Sequence, residues 1–109
     1  MPADESEVKA FLKIFRERWP PKCWVLDRPE NIQGLSNLGF TIKQRHQEIM
    51  YLGYKDYVKG PEPDKDGSPG EIWFFKKIIT KIEVYIKLKI WSSEGRTYVK
   101  CISFHPSKY

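Results

Sequence analysis

The chain is poor in cysteine and contains no long apolar run. Its two cysteines, Cys23 and Cys101, are too few for a disulfide framework or for a zinc site on their own. No apolar run approaches the ~20 residues that cross a bilayer. The acidic N-terminus lacks the apolar stretch of a secretory signal. These absences predict a cytoplasmic protein with no membrane contact.

The sequence also lacks the motifs of several enzyme classes. It contains no GxxxxGK phosphate-binding loop, no HExxH metal motif and no GxSxG nucleophile elbow. Glu62, Asp64 and Asp66 lie close together, but their spacing does not fit an EF-hand, so no metal or other cofactor is expected. The lone Cys101 is interpreted as a small, half-buried packing residue rather than a nucleophile.

The chain has the composition of an ordinary globular protein, and its charge is unevenly distributed along the sequence. Its 109 residues are 40% hydrophobic and 30% charged, which predicts one domain over residues 1–109. The net charge is +5, and residues 76–109 carry eight lysines and arginines against two acids. A basic, aromatic-rich end favours a polyanionic partner such as nucleic acid, although a merely solubilising lysine surface gives the same composition.

The first half of the chain has helical periodicity. A first helix is predicted over residues 4–19, with Asp4 and Glu7 at its N-terminal cap and one apolar face made of Val8, Phe11, Leu12, Phe15 and Trp19. Asn31 is expected to cap a brief second helix. Thr41, with Gln44 in a capping box, opens a third, whose packed stripe is expected to contain Ile42, Arg45, Ile49 and Leu52.

The second half has the period of β-strands. Residues 60–70 are rich in proline and glycine and are predicted to form a loop. Strands are expected at 72–75, 84–91 and 97–105, with a turn between residues 76 and 83. Helices followed by neighbouring strands predict an α+β fold with an antiparallel sheet.

The last two strands are predicted to form a hairpin with one chemically rich face. Pairing residue 90 with 98 and residue 86 with 102 aligns their apolar sets and points Lys100 toward the core. The opposite face then carries Tyr85, Lys87, Lys89, Trp91, Thr97, Val99, Cys101, Ser103 and His105. Tyr85 is expected opposite Ser103 and diagonal to His105, and Lys87 opposite Cys101.

These groups suit cleavage of a phosphodiester without a metal. One group must take the proton of a ribose 2′-hydroxyl, another must protonate the leaving 5′-oxygen, and cations must stabilise the phosphorane. Histidine and tyrosine can exchange protons, and lysine supplies charge. The simpler alternative is a solvated outer face with no chemistry, which the pattern alone favours.

Four short motifs, in order, resemble the MqsR family of bacterial type II toxins, within the RelE-like group. They are Asp56-Tyr57-Val58-Lys59, Ile72-Trp73, Val84-Tyr85-Ile86-Lys87-Leu88 and Ile102-Ser103-Phe104-His105. The resemblance covers about residues 38–105. It implies a RelE-like α+β fold, with the N-terminal helices packed on a small curved antiparallel sheet. It also implies a metal-independent endoribonuclease that cuts messenger RNA and is neutralised by a cognate antitoxin. Ribosome association stays open.

The resemblance also implies site residues. Lys59, Tyr85, Lys87 and His105 fall at the family's catalytic positions. Two of the chain's residues depart from the pattern, since Phe74 stands where better-known members have glutamine and His105 stands where they have lysine. Together with the basic composition, the hairpin predicts RNA contacts, where exposed, from Lys76, Lys77, Lys89, Trp91, Arg96, Lys100 and Ser103.

Two other functions fit the same residues. A non-catalytic RNA-binding or regulatory module on this fold would bind RNA without cutting it. An interaction domain would instead dock an acidic protein on its basic face. RNA cleavage in the absence of metal separates the toxin ribonuclease from both of these alternatives.

Overall fold

The computed structural model describes residues 2–107, and Lys108, counted above among the basic residues, lies outside them. Its helices are α1 (Glu5–Arg18), α2 (Pro29–Leu38) and α3 (Ile42–Met50), followed by a 3₁₀ turn at Tyr54–Asp56. Its strands are β1 (Tyr57–Pro63), β2 (Glu71–Ile79), β3 (Ile82–Ser93) and β4 (Arg96–Pro106), in an antiparallel sheet of order β1-β2-β3-β4. The predicted α+β arrangement of helices packed on a sheet is confirmed. Within residues 2–107, no helix has the length and apolarity to cross a membrane.

Helix α1 forms as its local sequence predicts. The Asp4 carboxylate accepts a hydrogen bond from the Glu7 backbone, and the Glu7 carboxylate accepts one from the Asp4 backbone. The predicted apolar face is buried throughout, from Val8 to Trp19. Because capping and periodicity depend only on neighbours in sequence, both could be predicted without knowledge of the fold.

The other two helices agree in part. Thr41 and Gln44 form the predicted capping box of α3, but Ile42 is 58% exposed and does not join the packed stripe. Asn31 is wrong as a cap, because α2 begins at Pro29 and its N-cap is Arg28. Proline suits the first helical position, since its missing N–H would have no partner there.

Strand β1 occupies part of the segment predicted as a loop. Residues 60–63 continue the strand and pair with β2, with register shifts on either side of Lys59. Prolines are tolerated there because β1 is an edge strand with irregular pairing. The turn between β2 and β3 is tight, with Thr80 and Lys81 both at positive φ, as hairpin turns of this length require.

The β3–β4 register differs from the prediction in two ways. Before the bulge the partners in β4 are shifted by two residues, and after it they are shifted by one, which changes the face on which the β4 side chains lie. Tyr85 pairs with His105 and Lys87 with Ser103, but a bulge follows and Leu88 pairs with Cys101. The bulge reverses which side chains of β4 face the helices, as an extra residue in a strand must. Val99 and Cys101 therefore lie in the core, whereas Tyr98 and Lys100 share the open face with Trp91.

The side chain of Asn31 holds the bulge in place. Its Nδ2 donates to the carbonyl oxygens of Leu26 and Ile102 at 2.9 and 2.8 Å, and its Oδ1 accepts from the N–H of Phe104 at 2.9 Å. Asn31 is fully buried, so these bonds satisfy polar groups that water does not reach. Helix α2 thereby fixes the part of β4 that presents His105.

Candidate active site

Tyr85 and His105 are directly opposite residues on the face of the sheet that α1 and α3 do not cover. Their ring centroids are 6.4 Å apart and both side chains are half-buried. The His105 Nδ1 lies 2.9 Å from the carbonyl oxygen of Pro106. A carbonyl oxygen only accepts hydrogen bonds, so Nδ1 is the donor in this contact, which orients the imidazole ring. The two groups expected to transfer protons in the reaction are therefore directly opposite each other, whereas the sequence predicted a diagonal arrangement.

Lys59 and Lys87 meet over the ring of Phe74. Their ammonium nitrogens lie 4.5 and 5.4 Å from its centroid, and Lys87 also lies 5.5 Å from the centroid of the Tyr85 ring. Aromatic faces attract cations electrostatically, so the ring helps to hold two like charges close together. Phe74 is almost fully buried, and it forms an apolar base beneath the two lysines.

These side chains line a cavity of about 500 Å³ on the open face. Tyr85 lies in its wall, while His105 lies beside Tyr85 on the neighbouring strand. The cations around the cavity are Arg28, Lys59, Lys65, Lys87 and Lys100, and its acids are Glu62, Asp64 and Asp66. Two of these acids are already paired with lysines, Glu62 with Lys59 at 3.6 Å and Asp64 with Lys89 at 2.6 Å. The cavity therefore favours an anionic ligand.

Lys87 lies in the cavity in an environment that disfavours its positive charge. Burial lowers the pKa of its ammonium, and the positive charges of Arg28, Lys65 and Lys59 lower it further. An ammonium that is partly desolvated and repelled by other cations gains more from an approaching phosphate than a free surface lysine does.

Lys89 does not meet the condition of exposure on which its predicted RNA contact depended. Its side chain is buried beneath the segment that joins β1 to β2. Its Nζ lies 2.6 Å from both the Asp64 carboxylate and the Ser68 hydroxyl, and this contact lowers the pKa of Asp64 to about 2. Lys89 therefore fixes the loop that walls the cavity.

Lys77 and Ser103 also lie elsewhere than predicted. Lys77 is on the helix-covered side of the sheet, where its Nζ forms a 2.7 Å ion pair with Glu48. Ser103 is buried, and its hydroxyl accepts a 3.5 Å hydrogen bond from Arg28. Ser103 thus helps to orient a cavity cation, and neither side chain is placed to contact RNA.

The remaining predicted RNA contacts divide by position. Lys76 is exposed beside Tyr85 and forms a 3.7 Å pair with Glu83. Arg96 lies at the far tip of the hairpin, paired with Ser93. Lys100, expected to point toward the core, instead lies on the open face with its Nζ over the rings of Trp24 and Trp91.

Sequence reasoning missed two residues near the site, Arg28 and Trp24. Both belong to the short segment between Pro21 and Pro29, whose sequence has neither helical nor strand periodicity. Backbone hydrogen bonds of 2.9 and 3.0 Å lay residues 24–26 against β4 at Cys101. No pattern in the sequence indicates this pairing, because it depends on contacts between distant segments.

Within residues 2–107, no group of three or more His, Cys, Asp or Glu side chains is arranged to hold a metal ion. No model of a known protein family, no curated protein and no solved structure matches the chain.

Proposed function

We propose that the protein is a metal-independent endoribonuclease, the toxin of a type II toxin-antitoxin system. It would cleave messenger RNA in the cytoplasm and be neutralised by a cognate antitoxin. The observation that carries the chemistry is the pairing of Tyr85 with His105 beside Lys59 and Lys87, at a cavity dominated by cations. The toxin role, the antitoxin and any association with ribosomes rest on the resemblance to the MqsR family.

Each step of the proposed reaction has a group suited to it. One of Tyr85 and His105 takes the proton of the ribose 2′-hydroxyl, which attacks the adjacent phosphorus. The other gives a proton to the 5′-oxygen as the phosphorus–oxygen bond breaks, leaving a 2′,3′-cyclic phosphate. Lys59 and Lys87 stabilise the extra negative charge of the phosphorane.

The test is incubation of the purified chain with a defined single-stranded RNA in EDTA, followed by analysis of the fragment ends. The proposal expects discrete cuts with 2′,3′-cyclic phosphate or 3′-phosphate ends. Tyr85→Phe and His105→Gln are each expected to slow cleavage by about 10²-fold, because each removes a group that transfers a proton. Tyr51→Phe is the matched control, since Tyr51 is 73% exposed and lies outside the cavity.

Wild-type rates in both the Tyr85 and the His105 variants would overturn the assignment of these residues. RNA that stays intact, with and without added ribosomes, would overturn the ribonuclease. Salt-sensitive binding of the intact RNA would then favour the non-catalytic RNA-binding module.

A further inference from the structure

A second surface lies next to the catalytic cavity and is built from aromatic rings. Trp91 stacks on Tyr98 with centroids 5.5 Å apart, and Trp24 meets Trp91 edge to face at 6.1 Å. Trp24 is 46% exposed and Tyr98 40% exposed. Large aromatic side chains in a folded protein are usually more buried, so a cluster that leaves ring surface open to solvent marks a binding surface.

This surface is cationic as well as aromatic. Trp24, Trp91 and Tyr98 line a hollow of about 640 Å³ that also contains the side chains of Arg18 and Lys22. None of the described residues that line the hollow is acidic. The combination of open rings with positive charge is what proteins use to hold unpaired nucleic-acid bases and the phosphates between them.

Lys100 connects the two surfaces. It lines the catalytic cavity, and its ammonium lies 4.8 Å from the ring centroid of Trp24 and 5.3 Å from that of Trp91. The acids of the cavity, Glu62 in β1 and Asp64 and Asp66 in the segment that follows, belong to other elements than Lys100, and two of them are paired with lysines. A bound anionic strand can therefore continue from the cavity past Lys100 onto the aromatic rings.

We propose that Trp24, Trp91 and Tyr98 form a base-stacking platform for single-stranded RNA, with Lys100 holding the phosphate between the platform and the cavity. Trp91 lies six positions after Tyr85 along β3, or about 20 Å at 3.3 Å per residue. The platform thus takes a base some nucleotides from the cleaved bond. The proposal rests on the proposed function for its ligand class, and it deepens that function by requiring an unpaired strand.

The test measures binding to a labelled single-stranded oligonucleotide with 2′-O-methyl groups throughout, which lacks the attacking hydroxyl and stays intact. Fluorescence anisotropy gives the affinity, and the same strand annealed to its complement is the duplex comparison. Trp24→Ala and Tyr98→Ala are each expected to weaken single-strand binding about five- to 150-fold, the range of base–aromatic stacking, and to change duplex binding little. Trp24→Phe keeps a ring and is expected to retain most of the affinity.

Two features of the design distinguish a loss of RNA binding from a loss of folding. The backbone of Trp24, not its side chain, makes the hydrogen bonds to Cys101 and to the Trp19 indole, so Trp24→Ala leaves them in place. Tyr51→Ala removes an exposed ring from the helical side of the molecule and is expected to bind as wild type does. Thermal unfolding of each variant confirms that the fold is intact.

The platform and the ribonuclease fail separately. Wild-type affinity in both Trp24→Ala and Tyr98→Ala, or an equal loss on duplex and single strand, would overturn the platform even if RNA is cut. Failure of wild type to bind the single strand, as for a surface that takes a peptide, would also overturn it. Selective loss in these variants supports the platform even if the chain never cleaves RNA.

Discussion

Asn31 and Phe104 are joined by a buried 2.9 Å hydrogen bond, in which the backbone N–H of Phe104 donates to the side-chain oxygen of Asn31. The same side chain donates to the carbonyl of Ile102, on the other side of the bulge. One residue of α2 therefore determines how β4 runs past its bulge. Since His105 follows at once, the bond also determines which residue of β3 His105 opposes.

Asn31→Ala is expected to lower the free energy of unfolding by about 3 kcal/mol or more. The substitution leaves buried backbone groups of Leu26, Ile102 and Phe104 without their partner, and each such group costs about 1–3 kcal/mol. Urea denaturation measures the change. Gln33→Ala, on the exposed side of the same helix, is the control and is expected to stay within about 0.5 kcal/mol of wild type. Equal midpoints for the two variants would refute the role of Asn31.

The Lys89–Asp64 pair predicts a specific acid sensitivity. Asp64 has a pKa of about 2 in the folded protein, below its ordinary value of 3.8, because Lys89 donates to its carboxylate. A lowered pKa means that the pair contributes its full stability above pH 4 and loses it as the pH falls from about 4 to 2. The stability advantage of wild type over Asp64→Asn is therefore expected to shrink across that window.

Denaturation of both proteins at several pH values measures this advantage. Glu17→Gln, which removes an exposed acid of α1, is the control and is expected to show no such convergence with wild type. An advantage for wild type that stays constant from pH 4 to pH 2 would contradict the pairing.

Close packing between α2 and β4 predicts the effect of a single methyl group at Gly34. A Cβ there would lie 2.9 Å from both the Cβ of His105 and the carbonyl oxygen of Phe104. Alanine favours a helix by about 1 kcal/mol, but the overlap is expected to outweigh that gain and destabilise the fold by about 1–3 kcal/mol. Because His105 must move, RNA cleavage is also expected to fall.

Gly53→Ala is the matched control, since within residues 2–107 no atom beyond its two chain neighbours lies within 4 Å of the added Cβ, and its φ of −132° suits any residue. Thermal unfolding and the EDTA cleavage assay compare the two alanine variants. A Gly34→Ala protein as stable as Gly53→Ala would show that α2 adjusts without disturbing His105.

The sequence predicted what depends on neighbours and missed what depends on distant contacts. The capping boxes at Asp4 and Thr41 are local patterns and appear as expected. The β3–β4 register failed because its bulge is held by a bond from Asn31, 71 residues before Ile102. Period-two alternation reveals a strand, but it does not reveal an extra residue whose partner lies in a helix.

The candidate site follows the same division. Tyr85 and Lys87 were placed correctly on the open face because alternation along one strand suffices for that. Lys89 shares their parity, yet it is buried by Asp64, which lies 25 residues earlier in a loop. Arg28 reaches the cavity through a segment without periodicity. Alternation gives the direction of a side chain, whereas burial and pairing depend on what the rest of the chain lays over it.

Lys87→Met is expected to separate function from stability. In the folded protein, burial and the charges of Arg28, Lys65 and Lys59 lower the Lys87 pKa, so the protonated side chain is unfavourable there. Removing the charge is expected to leave the free energy of unfolding at pH 7 equal to or above that of wild type. Cleavage is expected to fall about 10²-fold, because a cation that stabilises the phosphorane is lost.

The pH dependence of stability gives the sign of the Lys87 effect independently of cleavage. The pKa of Lys87 is lower in the folded protein than in the unfolded chain, so as the pH rises the folded protein loses this proton before the unfolded chain does. The wild-type protein therefore gains stability as the pH rises toward the ordinary lysine value of 10.5. Any stability advantage of Lys87→Met is therefore expected to narrow between neutral pH and about 10.5. Lys76→Met, which removes an exposed cation beside Tyr85, is the control and is expected to change cleavage only a few-fold. A Lys87→Met protein that is both less stable and fully active would show that this ammonium supports the fold and not the chemistry.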